Sequence, residues 1–135
     1  GLTGRVVIAP ETPYSDRPDF YRVADVVVSV PETDGGPVSL IEALAVGRPI
    51  VCSDLPPVRE WLEDVDPAGL VPVGDDAATA AAIRAALETE PAKRAEISRL
   101  GRAAVLQRAD QSRTMAELER LYLELASRRA AGSRR

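Results

Sequence analysis

Short apolar runs alternate with stretches whose apolar positions recur every three or four residues through most of the chain. The runs at residues 5–9, 24–30, 49–53 and 69–73 read as strands. The run from Ala24 to Val30 is β-branched and almost uniformly apolar, as a strand buried on both faces should be. Pro72 marks the run 69–73 as an edge strand. Residues 19–23, 37–46, 58–63 and 76–89 read as helices, the last capped by Asp75 or Asp76. Strands that alternate with helices imply a parallel sheet with right-handed crossovers. After residue 90 the strand pattern stops, and residues 91–108 and 112–128 read as two helices. In the second, Met115, Leu118, Tyr122 and Leu125 form one apolar stripe joined by Leu121. The expected fold is α/β: an open parallel sheet with flanking helices, a Rossmann-like unit, followed by C-terminal helices. The domain spans residues 1–128, and 129–135 read as a disordered tail. The strand at 5–9 or its neighbour is expected to lack a partner, and such an exposed edge invites a dimer.

Composition narrows this picture. The chain has 135 residues, which suits one domain. Hydrophobic residues make up 45% and charged residues 28%, so the composition is neither disordered nor membranous. No apolar run approaches the roughly 18 residues of a membrane span. The start, Gly1-Leu2-Thr3-Gly4, has neither the basic region nor the apolar stretch of a signal peptide, and a cytoplasmic location is expected. The lack of a starting Met suggests a chain cut from something longer. The one cysteine, Cys52, lies in an apolar run and reads as a buried structural thiol. There is no histidine, so metal sites and imidazole acid–base schemes are poor fits.

The net charge of −4 hides an asymmetry. Residues 1–76 carry 5 Arg against 14 acidic residues, net −9, while residues 77–135 carry 12 basic against 7 acidic residues, net +5. The acidic half argues against a nucleic-acid ligand. The basic half reads as solvated helix faces, or else as a surface for a partner or for anionic lipid heads.

The candidate chemistry lies in residues 34–47, Asp34-Gly35-Gly36-Pro37-Val38-Ser39-Leu40-Ile41-Glu42-Ala43-Leu44-Ala45-Val46-Gly47. Pro37 suits the first helical position and Gly47 the residue past the end. Gly35 and Gly36 allow a sharp turn and close approach by a ligand. The free N–H groups and dipole of the helix start suit a phosphate. The segment also follows a strand, at the sheet edge where ligands of open α/β folds sit. Glu42 stands among apolar neighbours, and a buried carboxylate needs partners. A ribose diol could supply two donors, and Glu42 lies roughly 7.5 Å along the axis from Pro37. A salt bridge to an arginine such as Arg22 or Arg48 would serve equally.

The same residues resemble the C-terminal domain of family-four retaining glycosyltransferases of the GT-B fold, the sucrose synthase and mannosyltransferase-like group. Residues 21–26, Tyr-Arg-Val-Ala-Asp-Val, look like that family's short helix and strand. Asp34 to Glu42 resembles its Glu-x7-Glu motif, with Asp first. Residues 42–51 look like E-A-M-A-x-G-x-P-V-V, Pro57 to Glu60 like the segment that follows, and residues 69–75 like G-L-L-V-P-x-G-D. The matches keep order and spacing over most of the chain.

The resemblance implies a nucleoside diphosphate sugar as donor and no metal or other cofactor. It implies that Glu42 binds the ribose hydroxyls and that Asp34 acts on the transferred sugar and helps place its anomeric carbon. Backbone near Gly35, Gly36, Val38 and Ser39 would meet the diphosphate, and Glu11 and Thr12 would frame the base. It further implies that a cationic βα unit and an N-terminal acceptor-binding domain are missing here, and that this half alone is inactive. Peripheral membrane contact of the parent fits the basic half. The alternative is a non-catalytic module that binds nucleotide sugars or supports a partner.

Overall fold

A computed structural model describes residues 1–63, 65 and 69–132. A 3₁₀ turn (Tyr14–Asp16) leads into α1 (Arg17–Val23), followed by β1 (Val27–Ser29), α2 (Val38–Val46), β2 (Ile50–Ser53), α3 (Pro56–Trp61) and β3 (Gly69–Val71). Three more helices follow: α4 (Asp76–Glu88), α5 (Pro91–Arg108) and α6 (Gln111–Gly132). The sheet order is β1-β2-β3, all parallel, with Val27 opposite Ile50 and Val51 opposite Gly69.

The expected α/β architecture is present, with two corrections. Residues 5–9 form no strand. Val6, Val7 and Ile8 are 63%, 88% and 92% exposed. Their β-branched side chains favour extended backbone, but a strand also needs a neighbour for its N–H and C=O groups, and neither sheet edge supplies one. The second correction concerns which strand is buried. Expected for residues 24–30, full burial belongs instead to β2, where Ile50, Val51, Cys52 and Ser53 are at most 1% exposed. β2 lies between two neighbours, whereas β1 has one, and its Val28 is exposed. Ser53 is satisfied inside the core, donating through Oγ to the carbonyl of Pro31 at 2.7 Å.

Helices cover both faces of the sheet. On one face Leu40, Ala43 and Leu44 of α2 pack with Ile50, Cys52 and Val58, joined by Leu100, Ala104 and Val105 of α5. On the other, Val51 and Val71 meet Ala78, Ala82, Ile83 and Ala86 of α4. Leu40, Ala43 and Leu44 follow the i, i+3, i+4 spacing of one helix face. Truncating either leucine to alanine would cost about 2–5 kcal/mol. α2 ends at Gly47, whose φ of 78° and ψ of 35° are left-handed and which bonds back to Ala43 and Leu44. The α4 cap is Asp75, whose Oδ1 accepts from the Ala78 N–H at 2.8 Å.

Arg108 fixes the end of α5. It donates to the Glu60 carbonyl at 2.7 Å and lies over the Trp61 ring at 4.5 Å. α6 runs to Gly132, into the tail expected at 129–135, while 133–135 lie outside the described residues. Its stripe of Met115, Leu118, Leu121, Tyr122 and Leu125 is 40–66% exposed, so the described residues leave it uncovered. Among the described residues no helix is long and apolar enough to cross a membrane.

Candidate functional site

The loop from β1 to α2 is built by local bonds. Asp34 Oδ1 accepts from the Gly36 N–H at 2.8 Å, an Asx-type turn. Pro37, at φ −77° and ψ 67°, forms an inverse γ-turn that brings the Val38 N–H to the Gly36 carbonyl at 2.8 Å. Pro37 is therefore the N-cap, one residue before the position its sequence context suggested. Gly35 and Gly36 do not use the left-handed region, and a Cβ on either would meet nothing within 4 Å. Their smallness leaves open space above the helix start instead of making the turn.

This bonding changes which N–H groups face outward. Those of Gly36 and Val38, expected at a diphosphate, are engaged within the loop. Those of Ser39 and Leu40 have no backbone partner among the described residues. They sit at the positive end of the α2 dipole.

One turn further on is Glu42. It is half-buried rather than enclosed, since α2 buries a single face and leaves Val38 exposed. Neither Arg22 nor Arg48 pairs with it. Arg22 bonds Asp19 at 2.6 Å, and Arg48 donates to the Arg22 carbonyl. The group at Glu42 is Tyr21 of α1, whose Oη donates to Oε2 at 2.7 Å. Burial, then the hydrogen bond and charge of Glu42, push the Tyr21 phenol above its ordinary range, while Ser39 and Arg17 pull it down. The phenol therefore stays protonated and keeps donating.

Two hollows meet at this pair. One, of about 140 Å³, is lined by Tyr14, Arg17, Pro18, Tyr21, Glu42 and Ala45, with Val46 beside them. The other is a more open cleft of about 390 Å³ lined by Thr12, Arg17, Phe20, Tyr21, Val38, Ser39 and Glu42. Of the residues singled out by sequence, the cleft gathers Thr12, Val38, Ser39 and Glu42. Glu11, Asp34, Gly35 and Gly36 do not line it. Asp34 instead lies where its charge adds to burial in pushing the Cys52 thiol up to about 12. Cys52 is buried, as its apolar run implies. Among the described residues no group of three or more His, Cys, Asp or Glu could hold a metal ion.

Sequence reasoning missed Arg17, Phe20 and Tyr21 as site residues. The signal was present in their spacing, since i, i+3 and i+4 share one helix face. What the sequence hides is that this face of α1 turns toward Glu42.

The geometry joins a parallel α/β sheet to a helix start and a half-buried carboxylate beside a polar cleft. The family model for glycosyl transferases group 1 matches residues 1–104. The chain belongs to this family of glycosyltransferases. It is also 34% identical over 90 residues to a phosphatidyl-myo-inositol mannosyltransferase of Mycobacterium leprae (strain TN). The aligned stretch covers 67% of this chain and 24% of that relative, so the chain matches about a quarter of the relative's length.

Proposed function

We propose that this chain is the donor-binding half of a retaining glycosyltransferase that moves a sugar from a nucleoside diphosphate to an acceptor. The observation that carries the reading is Glu42: one carboxylate oxygen is held by Tyr21, and the other has no partner among the described residues, at the wall of the cleft. In this reading the ribose hydroxyls donate to Glu42, and the diphosphate lies toward the N–H groups of Ser39 and Leu40. Asp34 acts on the transferred sugar from the loop above. Arg17, which lines both hollows, offers a cation on the approach of the diphosphate. No metal enters the scheme.

Transfer breaks the bond between the anomeric carbon and the diphosphate oxygen, and the acceptor oxygen bonds that carbon on the same face. The acceptor proton leaves with the diphosphate. Charge that develops on the departing diphosphate needs fixed cations and donors. One arginine and two N–H groups are a partial set, so the chain by itself is expected to bind donor without transferring sugar. The relative is named for mannosyl transfer, which makes a nucleoside diphosphate mannose the first donor to try.

Glu42→Gln in the intact protein tests the reading. Glutamine still accepts from Tyr21 but gives up the charge-assisted bond to ribose, worth about 1.5–3 kcal/mol. Nucleoside diphosphate affinity should fall roughly tenfold to a hundredfold with little change in melting temperature. A large drop in melting temperature with unchanged affinity would make Glu42 structural and reverse the reading.

A further inference from the structure

The partner of Glu42 is a neutral phenol, and the difference from a guanidinium matters. A guanidinium tends to engage both carboxylate oxygens and to neutralise them. A phenol has one hydrogen to give. Tyr21 spends it on Oε2 at 2.7 Å and leaves the carboxylate its charge and Oε1 its lone pairs. Of the nearby arginines, Arg22 is held by Asp19 and Arg48 by a backbone carbonyl, while Arg17 lies over the Tyr14 ring at 5.3 Å and forms no ion pair with Glu42 among the described residues.

Position supports the same conclusion. Tyr21 lines both the 140 Å³ hollow and the 390 Å³ cleft, as Glu42 does. It comes from α1, while Glu42 comes from α2. The bond therefore ties two elements together at the point where ligand would enter. A glutamate has three side-chain torsions, and fixing one oxygen removes much of their freedom. The rest of the carboxylate is then set in place before ligand arrives, which cuts the cost of ordering it on binding.

We propose that Tyr21 is a positioning residue that holds the Glu42 carboxylate so that its second oxygen selects a ribose hydroxyl, making the site discriminate ribonucleotides from 2′-deoxyribonucleotides. The proposal rests on the reading of Glu42 as the ribose ligand. Tyr21 itself does not touch the sugar in this scheme, and its effect passes through Glu42.

The experiment measures binding of UDP, GDP and ADP to the intact protein by calorimetry, then repeats it with the 2′-deoxy form of the tightest binder. The wild type should prefer the ribose form by about tenfold or more. Tyr21→Phe should weaken the ribose form by roughly threefold to tenfold and the deoxy form by less than about twofold. Adding Tyr21→Phe to Glu42→Gln should change nothing further, because the two act through one contact. A Tyr21→Phe loss that is equal for both sugars, or no loss at all, overturns the proposal. If Glu42→Gln impairs binding while Tyr21→Phe does not, only this inference fails. If the wild type shows no ribose preference and Glu42→Gln binds normally, the reading of Glu42 fails with it. A measurement without substitution covers a variant that does not fold. The Tyr21 Cζ resonance should shift when the ribose form is added and much less with the deoxy form, and a resonance indifferent to that hydroxyl overturns the proposal.

Discussion

Gly47 and Ser98 meet so closely that a Cβ on Gly47 would lie 2.1 Å from the Ser98 Oγ. The glycine ends α2 in the left-handed region, at φ 78°, directly against α5. Gly47→Ala therefore adds left-handed strain of about 1–2 kcal/mol to an overpacking cost of about 1–3 kcal/mol. Urea unfolding should show a loss of roughly 2–5 kcal/mol, large for one methyl group. Ser98→Ala alone should be nearly neutral. In the double variant it should return part of the packing cost and none of the strain. Full recovery would mean that the backbone conformation carries no penalty.

Cys52 gives the fold a pH dependence. Its thiol is raised from 9.0 to about 12, by burial first and then by the charge of Asp34. The folded state thus holds this proton more tightly than the unfolded state. Its contribution is complete below pH 9 and is lost as pH rises toward 12, at about 1.4 kcal/mol per unit. Stability should fall by roughly 4 kcal/mol over that window from this group. Cys52→Ser would abolish that part of the slope, measured by urea melts across pH. At pH 8 the native thiol should resist iodoacetamide and react only after unfolding.

Asp34 offers a contrast with Glu42. In Asp34→Asn the amide oxygen can still accept from the Gly36 N–H, so the loop should keep its shape. If Asp34 acts on the sugar, kcat should drop roughly tenfold or more while nucleoside diphosphate affinity changes by less than about threefold. Steady-state transfer and calorimetry on the intact protein separate the two. Equal losses in both would place Asp34 in the loop's structure only.

The open space at Gly36 separates fold from ligand. A Cβ there meets no protein atom within 4 Å, so Gly36→Ala should leave the melting temperature unchanged within about 2 °C. If diphosphate occupies the space above α2, the methyl group should weaken UDP or GDP binding by about tenfold. Unchanged affinity would move the phosphate away from this loop.

From α1 onward, the sequence by itself determined the order and type of the elements. Gly47 as the helix end, α5 at residues 91–108, a cap at Asp75 or Asp76 and β3 as an edge strand were all legible in it, because propensity and capping act over a few neighbouring residues. The start of α2 after Gly35 and Gly36 was legible for the same reason, whereas the motif from Asp34 to Glu42 was read from a resemblance. Only the tertiary structure decided that Val6, Val7 and Ile8 form no strand and that burial centres on β2. A strand exists through its neighbours, and side-chain pattern does not say which neighbours are there. The structure alone also decided that Glu42 meets the phenol of Tyr21 and not a guanidinium. Arg22 sits beside Tyr21 in the chain, yet one residue is 100° around a helix, and that turn sends Tyr21 to Glu42 and Arg22 to Asp19.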